Sequence, residues 1–191
     1  MLSDNMTSEH EAAKAVDKND RKLALVIVDV QKKFIVNAKD STLESARTHT
    51  PVMNKVIDMF REAGRPVIWV LYDSFTCLPG VTNDTMELLD GFEIKDTDKI
   101  VKKYHMNSFN NTNLSDIIHH CDCDAALLMG MFAQYCVMAT YWGAFDKDVS
   151  PYMMEDCLIS TDDKFCDLAM QLCKCYTMEE LESNLKLHRV E

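Results

Sequence analysis

The chain lacks any apolar run approaching the roughly 18 residues that a membrane-spanning helix needs. A membrane is therefore not an expected partner. Its first twenty residues have no apolar centre and include Asp4, Glu9, Glu11, Asp17 and Asp20. Neither an ordinary secretory signal nor an acid-poor transit peptide looks like this, so a cytoplasmic location is the expectation. Positive charge is also in short supply. Lys and Arg number 20 against 31 Asp and Glu, a net charge of -11. Such a chain offers no electrostatic footprint for nucleic acid or an anionic lipid surface. No C-x-x-C pair occurs: Cys121/Cys123 and Cys173/Cys175 are spaced C-x-C, with no His-x-His beside them, which argues against a structural zinc site. Eight cysteines in a 191-residue chain without an export signal read as reduced thiols rather than as a disulfide framework. There is no G-x-G-x-x-G after the first strand and no Walker lysine loop, so the usual dinucleotide and nucleotide readings lose their main support. Internal repeats and low-complexity segments are missing too.

What remains is an ordinary globular composition, 47% apolar and 27% charged, long enough for one domain with a substantial core. Residues 1–20 read as a polar, mobile or loosely packed N-terminal arm and 21–191 as the domain. Leu23–Val28 is a continuous apolar, β-branched run of strand length, suited to a parallel strand buried on both faces. Helical spacing follows from Leu43 to Ala63, stopped by Gly64 and Pro66. Val67–Tyr72 is a second buried strand, and 76–98 a loop-rich stretch that covers part of a site. Lys99–Lys103 is a short strand. A helix capped by Thr112 or Asn113 comes next, then a strand from Ala125 to Gly130 and a helix carrying Val137, Tyr141, Ala144 and Phe145. A strand over 149–154 ends at Glu155-Asp156-Cys157, a helix opens at 160–162, Cys173–Tyr176 forms an edge strand, and Thr177 with Glu180 makes a capping box for a last helix. Strands alternating with helices predict an α/β fold: three layers, α/β/α, around a central, mostly parallel sheet.

In such a sheet ligands bind beyond the C-terminal strand ends, and three reactive side chains fall there: Asp29, Lys103 and Cys136. Cys136 lies at a strand-to-helix elbow, where a helix N-terminus lowers a thiol's pKa and offers N–H groups to an oxyanion. An aspartate can take the thiol proton and return it to a leaving group; a lysine favours the thiolate and keeps the aspartate ionised. Singly, Asp29 is as well explained by capping a turn and Lys103 by solvation. Their convergence on one sheet edge is the informative part. His105, just beyond Lys103, is a candidate to reach the same edge, but reads first as a partly exposed loop histidine.

The motifs resemble those of the isochorismatase-like cysteine hydrolases, which include nicotinamidases and N-carbamoylsarcosine amidase. Leu25–Phe34 resembles the family's first strand with its D-x-Q-x-x-F ending. Lys103, then Ser108-Phe109 and Thr112-Asn113-Leu114, resembles its lysine strand and S-x-F-x-x-T-x-L segment; the lysine stands six residues before the aromatic, which selects Lys103 over Lys102. Gly130 through Cys136-Val137, then Ala139-Thr140 and Ala144, is similar to its nucleophile elbow, and Glu155-Asp156-Cys157 to its acidic turn. The resemblance implies a Rossmann-like fold with Asp29 as general base, Lys103 as electrostatic partner and Cys136 as nucleophile. It also implies a cis peptide at Met131-Phe132 with Phe132 and Cys136 as oxyanion donors, Gln31 and Phe34 beside the substrate, a small-molecule substrate and a homo-oligomer. Departures are Ala133 where threonine is usual and the bulky Phe132. The nicotinamidase branch binds metal through an aspartate and histidines after the second strand. Here that stretch reads Tyr72-Asp73-Ser74-Phe75-Thr76-Cys77, without histidine, so no metal and no cofactor are expected. The leading expectation is hydrolysis of a small amide through a thioester. The alternatives are a non-catalytic or redox-sensing member of the fold and a vinyl-ether hydrolase of the isochorismatase type, whose chemistry does not need the thiol.

Overall fold

The computed structural model describes residues 17–73 and 87–190. Leu23–Val28 forms β1, every residue buried. The other strands are β2 (Val67–Tyr72), β3 (Lys99–Lys103), β4 (Ala125–Met131), β5 (Ser150–Ile159) and β6 (Cys175–Tyr176). All pair in parallel in the order β3-β2-β1-β4-β5-β6. The order reverses direction between β1 and β4, so a crevice opens at their C-terminal ends.

The period-two alternation of β1 decides the layering. Leu23, Leu25 and Ile27 join one core with Met53, Val56 and Phe60 of α1 (Asp40–Glu62) and Leu181 and Leu185 of α5 (Met178–Leu187). Ala24, Val26 and Val28 join the opposite core with Leu114 and Ile118 of α2 (Leu114–His120), Tyr141 and Ala144 of α3 (Met138–Phe145) and Ala169 of α4 (Asp163–Leu172). Each fully buried aliphatic side chain contributes about 1.5–3 kcal/mol. The three-layer expectation is met, and the sheet is wholly parallel among the described residues.

Boundaries differ in instructive places. The first long helix begins at Asp40 and runs through Pro51. The strand expected to end at Glu155 continues to Ile159: a bulge with Asp156 at φ 58° shifts its register against β4, so the acidic pair interrupts the strand without ending it. The capping box of α5 is formed as read, with the Thr177 side chain and Glu180 satisfying each other's backbone N–H. At the end of the N-terminal arm, Lys18 pairs with Glu180 at 2.6 Å and lies 4.3 Å from the Tyr176 ring centroid, so residues from about Asp17 dock on the domain. Met1–Val16 and much of the expected covering loop, 74–86, lie outside the described residues. No helix among the described residues is long and apolar enough to cross a membrane.

Gly130 is where β4 meets β1 at the crevice. Its φ is +122°, and a Cβ there would stand 2.1 Å from the Val28 carbonyl oxygen, a backbone atom that cannot yield. Gly130→Ala is expected to cost at least about 2 kcal/mol, from positive-φ strain and the collision together. Thermal denaturation should show it as a fall of about 4–8 °C in a domain of this size.

Candidate active site

Asp29 follows β1 in the left-handed region, φ 56°, a conformation that aspartate tolerates better than most residues and that recurs at functional sites. Its N–H donates to the Val70 carbonyl, which holds the turn against β2. The side chain is 1% exposed. Two strands away, β3 alternates so that Val101 and Lys103 point inward while Lys102 is exposed. With β2 between them, β1 and β3 stand roughly 9–10 Å apart, a gap that only a long side chain bridges. Lys103 bridges it: Nζ lies 2.8 Å from Asp29 Oδ2 and donates to the Met106 carbonyl at 2.9 Å. The contact with Asp29 is close but poorly aligned as a hydrogen bond. It is therefore chiefly a charge pair, and both carboxylate oxygens keep acceptor capacity for a proton.

Cys136 lies within a π-turn, Ala133–Val137, between β4 and α3. Single π-turns of this kind recur at functional sites. The Met131–Phe132 peptide before it is cis. The turn brings the thiol near enough to Asp29 and Lys103 for both charges to bear on its ionisation. The Thr140 hydroxyl anchors this geometry: it donates to the Cys136 carbonyl at 2.7 Å and accepts from the Ser108 N–H at 3.0 Å. The Ser108 hydroxyl lies 2.7 Å from it. The loop after β3 is thereby fastened, through α3, to the turn that carries the sulfur.

The electrostatics depart from the sequence reading. A lowered thiol pKa is expected at a helix N-terminus, yet Cys136 sits inside a π-turn, and burial first and the Asp29 carboxylate second push its thiol up to about 12. Lys103 opposes them without prevailing. Burial also raises Asp29 above the usual carboxylate range, against the pull of Lys103. Thiol and carboxyl group are thus both shifted toward their protonated forms and titrate as neighbours.

Phe34 and Phe132 meet edge-to-face, centroids 6.3 Å apart, and Phe34 meets Tyr72 at 5.9 Å, which makes an aromatic wall. Gln31 is fully buried; its amide accepts from the Tyr72 N–H at 2.8 Å and donates to the Tyr72 carbonyl at 3.3 Å, clamping the ends of β1 and β2 together. His105 is exposed on the loop after β3. Asp73, the position from which the nicotinamidase branch takes a metal ligand, has its carboxylate engaged by Lys102 at 3.2 Å and the Tyr104 hydroxyl at 3.3 Å. With no histidine following, these residues do not fit a metal centre, and no cluster of three metal-ligating side chains occurs among the described residues. Lys33, unremarked in the sequence, is drawn inward beside this wall by the short 3-10 turn Lys32–Phe34.

A family model for the isochorismatase domain matches residues 23–180. The chain belongs to the isochorismatase family. Among curated relatives it is 29% identical over 119 residues to the secreted isochorismatase effector Isc1 of Verticillium dahliae, a match covering 61% of each chain, so the chain spans less than two thirds of that relative's length. It is 25% identical over 148 residues, covering 67% of this chain and 75% of the other, to a probable inactive nicotinamidase of Arabidopsis thaliana. Among solved structures, N-carbamoylsarcosine amidase from Thermoplasma acidophilum superposes with a TM-score of 0.69 and 26% identity, covering 82% of this chain and 95% of that one.

The coupling between thiol and carboxylate has a measurable sign. Asp29→Asn removes the negative charge that raises the thiol pKa while Lys103 stays, so the pKa of Cys136 falls. The pH dependence of Cys136 alkylation, followed by peptide mapping, should show its midpoint moving down from about 12 in this variant. A midpoint that stays or rises contradicts the arrangement.

Proposed function

We propose that this isochorismatase-family protein is a cysteine hydrolase that cleaves a C–N bond of a small amide. The convergence of the half-buried Cys136 on the buried Asp29–Lys103 pair is the observation that carries the reading. The Cys136 proton passes to Asp29 as the sulfur attacks the amide carbonyl. The N–H groups of Phe132 and Cys136 serve the oxyanion, and Lys103 balances charge around Asp29. Asp29 then protonates the departing amine, leaving a thioester. Water, deprotonated by Asp29, attacks the thioester; the intermediate collapses to release the acid, and the proton returns to sulfur. No resident metal takes part, since Asp73 is engaged elsewhere and no histidine follows it. Turnover is expected to be unchanged in chelator.

A panel of small amides, scored by release of ammonia or amine, tests the reading. Cys136→Ala should lower kcat/KM by at least about 10³-fold. Asp29→Asn should lower it by about 10²–10⁴-fold even though its thiol ionises more readily, because proton return to the leaving group is lost. A relative described as probably inactive, together with the bulky Phe132, favours a second reading, a non-catalytic member of the fold. No turnover on the whole panel would support it. Hydrolysis of a vinyl ether that survives Cys136→Ala would instead point to isochorismatase-type chemistry.

The homo-oligomer remains part of this proposal. Tyr135, Trp142 and Phe145 form an exposed stripe along the π-turn and α3, and Phe165, Leu168 and Leu172 a second along α4. Half-exposed aromatics at about 150–250 Å² each give the π-turn, α3 and α4 together on the order of 400 Å² of exposed aromatic surface, against an interface of about 800 Å² per partner. A second copy of the chain is the occupant. Light scattering should report a dimer or larger species that Trp142→Glu with Phe145→Glu dissociates; a monomer in the unmodified protein would refute it.

A further inference from the structure

Lys33 has no part in the chemistry above, yet its setting calls for one. The residue is 5% exposed, although lysine is rarely buried without a partner. Its ammonium donates to the Tyr72 carbonyl and lies 5.1 Å from the Tyr72 ring centroid and 5.3 Å from that of Phe34. Lys103 Nζ lies 5.8 Å from the same Tyr72 centroid, so two buried ammonium groups share one ring of the aromatic wall.

A buried cation normally has a carboxylate beside it. Among the described residues no carboxylate is in ion-pair contact with Lys33. The acids whose charge it feels, Asp29 and Asp73, are committed to Lys103 at 2.8 Å and Lys102 at 3.2 Å. Its neighbour Lys32 shows the ordinary alternative: it faces outward and pairs with Glu87 at 2.5 Å and Asp90 at 2.9 Å. Burial pushes the Lys33 ammonium below its usual pKa, the mark of a charge that is short of compensation. Of its three donors, the Tyr72 carbonyl uses one.

We propose that Lys33 anchors a carboxylate on the substrate, so that the site selects small amides that also carry an acid group. The apolar body of such a substrate lies along Phe34, Tyr72 and Phe132. A single ammonium with two donors to spare matches one carboxylate; a phosphate would need a larger donor set. This rests on the hydrolase reading for the word amide. The anion preference itself is readable without turnover.

Alkylation of Cys136 by iodoacetate and by iodoacetamide separates the two. The reagents share a leaving group and a reacting carbon and differ in one carboxylate. Peptide mapping of the full chain reads Cys136 and the half-buried Cys121 in the same sample. In the unmodified protein, the rate with iodoacetate relative to iodoacetamide should be higher at Cys136 than at Cys121. Lys33→Met should lower that ratio at Cys136 by about tenfold, as for loss of one charge-assisted hydrogen bond, and Lys33→Arg should restore most of it. A ratio at Cys136 no higher than at Cys121 overturns the proposal in the unmodified protein, whether or not the methionine variant folds. Equal slowing with both reagents in Lys33→Met overturns it as well. A chain that hydrolyses no amide but keeps the anion preference would refute the hydrolase reading and leave the Lys33 anchor standing.

Discussion

The buried pair between Asp29 and Lys103 is the constraint on which the rest of the site depends. Moving a carboxylate and an ammonium out of water costs several kcal/mol per ion, and the mutual attraction offsets this only when the geometry is held. Here it spans three strands. The register of β2 against β3 puts Lys103 beside Tyr72, that of β1 against β2 puts Val28 beside Val70, and the Asp29 N–H is fixed on the Val70 carbonyl. Gln31 clamps the ends of β1 and β2 through the Tyr72 backbone. A slip at any of these would leave an uncompensated charge in the core, at a cost of about 3–5 kcal/mol. The sheet edge is stiff for that reason.

That stiffness shapes the thiol. The low-dielectric surroundings that strengthen the ion pair also penalise a second anion, and Asp29 already holds the one that Lys103 compensates. Burial and the neighbouring carboxylate therefore both push the Cys136 thiol pKa up. Cys136 and Asp29 form one titrating unit, in which a proton passing between sulfur and carboxylate adds no net charge. The Ser108–Thr140 pair matters to this unit because it fastens the loop that supplies the Met106 carbonyl to the turn that carries the sulfur.

The fold was legible in the sequence because burial on both faces writes itself as unbroken apolar runs, as in Leu23–Val28 and Ala125–Met129, and because caps such as Thr177 with Glu180 are local chemistry. Its boundaries were less legible. Glu155 and Asp156 read as the end of a strand since acids rarely lie in one, yet a bulge lets them face outward while Cys157 to Ile159 return to the core. Nothing local distinguishes a bulge from a terminus; the continued pairing with β4 does.

The sequence by itself determined which residues could do chemistry at the sheet edge and the family to which the chain belongs, because motif order and spacing survive without coordinates. Only the tertiary structure decided their state. That the Cys136 thiol pKa is pushed up rather than lowered follows from its partial burial and from the nearness of Asp29, a residue more than a hundred positions away. Lys33 differs from its neighbour Lys32 in nothing that a sequence records. A single turn of 3-10 backbone sends one ammonium to surface acids and the other under the aromatic wall, and that no carboxylate among the described residues pairs with it is visible only in three dimensions.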